Sequence, residues 1–256
     1  MKVVILAGGF GTRLAEHTAV IPKPMVEIGG RPIIWHIMNS YAEQGFSDFV
    51  IALGYKGSVI KDYFSNYKKI NSDFTVDLAT GEVRELGAGH EEKWTVTLID
   101  TGQDVMTGGR LLRLKSFLND GPFMLTYGDG LANVDVLRLV QHHEASKMRG
   151  TITAVHPKAH YGELDLDGDR VARFMEKPTF RQSWINGGFM VFNPDVFDLI
   201  SGDQSILERD VLERLGEAGQ LGAFRHQGFW QCMDTLRDVQ LLNALWDSGD
   251  RPWARS

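Results

Sequence analysis

Four short segments carry residues whose types and spacing suit the handling of a polyphosphate. Gly8-Gly9-Phe10-Gly11-Thr12-Arg13 follows directly on the apolar run Lys2–Ala7. After a buried strand, a turn of this kind can aim main-chain N–H groups at phosphate oxygens, because glycine lacks the Cβ that would keep the backbone away. Lys23 stands between prolines in Pro22-Lys23-Pro24, which restricts the backbone on both sides. Two cations, Arg13 and Lys23, near a phosphate cradle suit a triphosphate whose charge must be neutralised while its α-phosphorus is attacked. Asp129 lies in Tyr127-Gly128-Asp129-Gly130, just past the apolar Phe123–Thr126, and Asp234 lies in Trp230-Gln-Cys-Met-Asp-Thr-Leu236. One or two carboxylates together with substrate phosphates are the usual holders of Mg²⁺. For Asp234 a plainer role is open, that of the acid capping the helix that follows it. Glu176-Lys177-Pro178 and Asn186-Gly187-Gly188 offer hydrogen bonds to sugar hydroxyls and charge for a sugar phosphate. A solvated ion pair and a β-bulge turn are their structural alternatives.

The elements that must place these residues follow from periodicity. Lys2–Ala7 and Asp48–Leu53 are uninterrupted, β-branched runs that predict strands buried on both faces. Ile33, Ile34, Ile37, Met38 and Tyr41 recur at helical spacing until Gly45, and Val59, Ile60, Tyr63 and Phe64 predict a second helix. This β-loop-α-β-α order predicts a parallel crossover. From about Phe74 to Asp100 the pattern alternates, with Trp94–Ile99 alternating apolar and polar, and short antiparallel strands are expected. A helix is expected after Gly109, a strand at Phe123–Thr126, a helix over Val134–Lys147 and a strand at Thr151–Val155. Gly162–Phe174 reads as a hairpin turning at Asp167-Gly168-Asp169, and Gly187–Phe192 as a strand. Helices are expected through much of 195–218 and 235–247. The fold class is therefore α/β, a Rossmann-like mixed and mostly parallel sheet flanked by helices with small antiparallel additions, and residues 1–256 form one domain.

Composition narrows the functions. Apolar residues make up 43% and charged residues 23% of 256, as in an ordinary globular protein rather than a disordered one. A formal net charge of −6 makes nucleic acid a poor partner. The one cysteine, Cys232, excludes an internal disulfide and any Cys/His zinc spacing, which fits a reducing compartment. The opening apolar run is too short for a signal peptide, and no stretch approaches the ~20 apolar residues of a membrane span. The cytoplasm, with no membrane partner, is the expectation. A dinucleotide fingerprint is disfavoured, since Leu14 stands where the third glycine belongs and the second strand ends at Gly54-Tyr55 rather than at a ribose-binding acid. His142-His143-Glu144 reads as a solvated helix face. Pro157 argues against a helical zinc pair at His156 and His160. Cys232 has no evident base and suits a pocket wall better than a nucleophile.

Taken together these segments resemble the sugar nucleotidylyltransferase family. Leu6-Ala-Gly-Gly-Phe-Gly-Thr-Arg-Leu14 with Pro22-Lys23-Pro24-Met25 is similar to the signature shared across that family. Met106-Thr-Gly-Gly-Arg110 and Phe229-Trp-Gln231 with Met233-Asp-Thr-Leu-Arg-Asp238 resemble its glucose-1-phosphate cytidylyltransferase branch. The resemblance implies CTP and glucose 1-phosphate as substrates, Mg²⁺ as cofactor and a homo-oligomer. It implies that Leu6, Ala7, Gly8, Gly9, Phe10, Gly11, Thr12 and Arg13 hold the nucleotide, with Lys23 near the reacting phosphates. A Thr107–Arg110 loop (Thr107, Gly108, Arg110) and Gly128 would line the nucleotide pocket. Asp129 and Asp234 would bind the metal, and Tyr127, Glu176, Lys177 and Asn186 the sugar phosphate. Three departures stand out: Cys232 where proline is expected, Tyr161 where phenylalanine is usual, and a poorly matching segment 80–92. Arg13→Ala and Lys23→Ala are each expected to lower kcat by up to roughly 10²–10³-fold, measured as pyrophosphate release.

Overall fold

The computed structural model describes residues 1–9, 21–86, 92–157, 163–175 and 183–254. Seven strands form its central sheet: β1 (Val3–Ala7), β2 (Asp48–Leu53), β3 (Thr95–Asp100), β4 (Phe123–Tyr127), β5 (Gly150–Val155), β6 (Ile185–Phe192) and β7 (Leu221–Arg225). Their spatial order is β7-β5-β6-β4-β1-β2-β3. Pairing is parallel throughout, except that β6 runs against both of its neighbours.

Alternate residues of β1 feed two separate cores. Val3, Ile5 and Ala7 join the layer packed by helices α1 (Ile33–Ala42), α2 (Gly57–Ser65), α4 (Val136–Ser146) and α5 (Leu236–Asp247), through residues such as Ile37, Ile60, Leu139 and Leu242. Val4 and Leu6 join Leu111, Val196, Phe197, Leu207 and Val211 on the other face. This is why β1 shows no polar position: a strand covered on both sides has no residue to spare for water.

Two expectations are corrected by the fold. The Trp94–Ile99 stretch is not antiparallel. β3 pairs with β2 in parallel, from Asp48 opposite Thr95 to Leu53 opposite Asp100. Its alternation reflects an edge strand with Val96 and Leu98 turned to the core, and alternation reports a half-covered face rather than strand direction. The expected antiparallel pair does exist nearby, as Asp73–Val76 against Val83–Leu86. His143 is not on a solvated face either. It is buried, and its ring nitrogens meet Thr151 Oγ1 at 2.9 Å and Asn193 Oδ1 at 3.3 Å. Val136, Leu139 and His143 fall at i, i+3 and i+7, one helical stripe.

The Gly168-Asp169 turn joins Glu163–Asp167 to Arg170–Met175 as expected. The helix expected after Gly109 begins earlier, as α3 (Thr107–Arg113). Its two glycines are contact points. A Cβ on Gly109 would lie 2.3 Å from the Asp203 carbonyl oxygen, and one on Gly108 would lie 2.8 Å from that of Ser205. Gly109 N donates to Ser205 O at 3.1 Å. Gly109→Ala is therefore expected to push α3 off this loop and to destabilise the fold by about 1–3 kcal/mol, read as a lowered midpoint in urea unfolding.

Candidate active site

The carboxyl ends of β1, β2, β3 and β4 lie at one edge of the sheet, since Leu6 sits beside both Ala52 and Tyr127, and Leu53 beside Asp100. The antiparallel β6 begins there. Open α/β sheets bind ligands at this edge. A cleft of about 850 Å³ opens here, lined among others by Leu6–Gly9, Lys23, Tyr127–Gly130 and Cys232. That is large enough for a nucleotide-sized ligand.

Local structure explains how the charged residues meet. Lys23 opens a short 3₁₀ turn, Lys23–Met25, whose Pro24 and Met25 are buried. Gly128 N donates to Leu6 O at 3.1 Å, and a Cβ on Gly128 would lie 3.0 Å from the Pro24 ring. The missing side chain thus lets the Lys23 turn close over the end of β4. Just beyond, Gly130–Ala132 pairs antiparallel with Trp230–Cys232, and Met233 N donates to Asp129 O at 2.8 Å. This small ladder brings the 129 and 234 positions together.

The Lys23 ammonium donates to Asp129 Oδ2 at 2.6 Å and to Asp234 Oδ1 at 2.7 Å. Burial lowers the Lys23 pKa, but the attraction of Asp129 and the hydrogen bonds to both carboxylates outweigh it, so the net shift is upward. Among the described residues, Lys23 is a cation shared by this pair of acids. Ligand atoms of Asp129, Cys232 and Asp234 all lie within 4.8 Å of one another. The donor set fits a divalent cation: two carboxylates converge on one point where a positive charge already sits.

Asp234 is not the helix cap. Thr235 is the N-cap of α5, in a capping box with Asp238. The Asp238 carboxylate accepts from Thr235 N at 2.7 Å, Asp234 N at 3.0 Å and Gln231 Nε2 at 2.9 Å. Capping falls to residues 235 and 238, and the Asp234 carboxylate faces Lys23 instead. The Thr-x-x-Asp spacing that reveals this is present in the sequence.

The Thr107–Arg110 segment is the first turn of α3 rather than a loop. Arg110 is buried, and its guanidinium donates to five oxygens: the carbonyls of Gly8, Leu53, Gly102 and Gln103, and Thr101 Oγ1, at 2.6–3.1 Å. Desolvation lowers its pKa. Arg110 thus clamps the ends of β1 and β2 and the segment after β3, while Thr107 lines the cleft and Gly108 faces the Ser205 backbone. Tyr127 O–H donates to Glu208 Oε1, and burial first and then the Glu208 charge raise its pKa. Glu208 Oε2 also accepts from Thr107 Oγ1 at 2.9 Å. No sequence motif marks Glu208. Asn186 Oδ1 accepts from Gly188 N at 2.9 Å, and Asn186 Nδ2 reaches Tyr127 Oη at 3.4 Å. The β5–β6 register is irregular between Ile152 and Ala154, which pair with Met190 and Asn186, and this register shift, alongside the cleft, falls on the Asn186-Gly187-Gly188 segment, where a β-bulge is the structural alternative. Phe10, Gly11, Thr12, Arg13, Glu176 and Lys177 lie outside the described residues.

The profile of the nucleotidyl transferase family matches residues 2–247. The chain belongs to the nucleotidyl transferase family. Glucose-1-phosphate cytidylyltransferase of Salmonella typhi is 50% identical over 254 residues, covering 99% of this chain and 98% of that protein. Mannose-1-phosphate guanyltransferase of Saccharomyces cerevisiae is 32% identical over 259 residues, covering 96% of this chain and 66% of that one. The crystal structure of HddC from Yersinia pseudotuberculosis superposes with a TM-score of 0.70 at 23% identity, covering 96% of this chain and 99% of that chain. That likeness shows that the fold is shared at low sequence identity. The chain is an enzyme of this family, and no helix among its described residues is long and apolar enough to cross a membrane.

Asp238→Ala removes the acceptor that holds the 234–235 backbone. It is expected to cost about 1–2 kcal/mol of stability as a lost cap and to lower kcat as well, read by thermal unfolding and steady-state kinetics. Unchanged kcat would show that Asp234 does not depend on this support.

Proposed function

We propose that this chain transfers the cytidylyl group of CTP to α-D-glucose 1-phosphate, giving CDP-glucose and pyrophosphate. The observation that carries this reading is the meeting of Lys23, Asp129 and Asp234 at the sheet edge beside the glycine turn. The 50% identity to a glucose-1-phosphate cytidylyltransferase over almost the whole of both chains supports the choice of base and sugar.

In this reading the main chain from Leu6 to Gly11, with Thr12, Arg13, Lys23, Thr107, Gly108, Arg110 and Gly128, holds the nucleotide. Tyr127, Glu176, Lys177 and Asn186 hold the sugar phosphate. The sugar phosphate oxygen attacks the α-phosphorus in line, and pyrophosphate leaves. That oxygen is ionised at neutral pH, so no general base is required, and rate comes from positioning and from stabilising charge. Arg110 also fixes the carbonyls that set the backbone of the cradle. Asp129 and Asp234 would hold Mg²⁺, which supplies positive charge to phosphate oxygens when bound. The sheet draws strands from both halves of the chain, which supports a single domain over 1–256. The apolar residues Phe74, Leu78, Val83 and Leu86, exposed on and beside one hairpin, support a homo-oligomer. The cytoplasm is the site of action that fits a chain with a single cysteine.

The identity to a mannose-1-phosphate guanyltransferase favours one second reading, the same transfer with another base or hexose. Four nucleoside triphosphates assayed against several hexose 1-phosphates, with and without Mg²⁺, separate the two. CTP with glucose 1-phosphate is expected to give the highest kcat/KM, and a faster alternative pair would displace the proposal. Asp129→Ala is expected to abolish Mg²⁺-dependent turnover, and near-normal activity would overturn its role as a metal ligand.

A further inference from the structure

Cys232 is the chain's only cysteine, is free, and lines the cleft beside the two acids. Its backbone pairs with Gly130 in the ladder that joins the two aspartate segments, so it is held at the site by the same pairing. Its sulfur lies within 4.8 Å of an oxygen of each carboxylate. In the tetrahedral geometry of zinc, sulfur at about 2.3 Å and carboxylate oxygen at about 2.1 Å from the ion stand about 3.6 Å apart. Side-chain shifts of up to about an ångström therefore bring all three onto one cation.

From this geometry we propose that Cys232 Sγ is a third ligand at the Asp129–Asp234 site, which gives it affinity for a thiophilic divalent cation of the zinc class. The inference rests on the reading of the two aspartates as cation ligands and adds to it the sulfur. Mg²⁺ is a hard ion that prefers oxygen and gains nothing from a thiol. Zinc and cadmium are bound well by thiolate, and a Cys-Asp-Asp set is a three-ligand site with a position left for a further oxygen ligand, such as a substrate phosphate. The Lys23 ammonium holds the same two carboxylates at 2.6 and 2.7 Å. A cation bound there competes directly with Lys23.

The test uses the intact chain and the metal ions alone. Cd²⁺ titration of the wild type is expected to raise the ultraviolet sulfur-to-cadmium charge-transfer absorption, and with one cysteine that signal has one source. Cys232→Ser is expected to abolish the absorption and to weaken Zn²⁺ binding, measured by competition with a chelating dye, at least about tenfold, a loss that even an outer partner of a metal ligand typically causes. Its Mg²⁺ affinity is expected to stay at the wild-type value. In the unmutated protein, Zn²⁺ is expected to slow alkylation of Cys232 and Mg²⁺ to leave it unchanged, a readout that needs no variant to fold. Absence of the absorption, or equal protection by the two ions, overturns the sulfur ligand. Asp129→Asn then separates the two readings: if it loses Mg²⁺ binding the aspartate site stands without the cysteine, and if it binds Mg²⁺ like the wild type both fall.

Discussion

The Lys23 ammonium, held between two carboxylates, is the contact on which the site depends. Two carboxylates so close repel each other, and the ammonium between them offsets that repulsion. The partners stand 106 and 211 residues away from Lys23 along the chain. A single charge therefore ties together the turn after the glycine-rich segment, the end of β4 and the strand that leads into α5. A lysine suits this post because its compact ammonium carries several rotatable N–H donors, enough to serve both carboxylates at once.

A second constraint comes from the strand ends. Where β1, β2 and β3 stop, their carbonyls turn into the protein, and buried carbonyls need donors. Arg110 meets this need from one side chain, because its planar fork carries several N–H groups in fixed directions. Glu208 ties Thr107 on α3 to Tyr127 at the end of β4. The cleft walls are thereby set before any ligand arrives. A charge-stabilising site of this kind is effective because its dipoles need no reorganisation during the reaction.

Low identity to HddC with a shared fold, and high identity to a cytidylyltransferase, describe two levels of constraint. The sheet and its helical layers tolerate wide substitution so long as strands stay apolar and helices keep their stripes. The glycines at contacts tolerate much less. Gly8 and Gly54 abut the Arg110 guanidinium, Gly109 the Asp203 carbonyl, and Gly188 the Tyr127 ring, each where an added Cβ would lie within 3 Å of its neighbour.

The sequence alone determined the buried strands, the helical stripes, the glycines that open the amino-terminal turn and the two acids, because each depends on local periodicity or on a residue's own chemistry. The separation of Asp234 from the cap of α5 was also legible, in the spacing of Thr235 and Asp238. Only the tertiary structure decided that β3 runs parallel, that Arg110 serves carbonyls, that Glu208 joins two walls and that Lys23 bridges both acids. Strand direction and side-chain partners are set by which segments pack together. Contacts between residues a hundred or more apart leave no period in the chain, so packing alone could assign them.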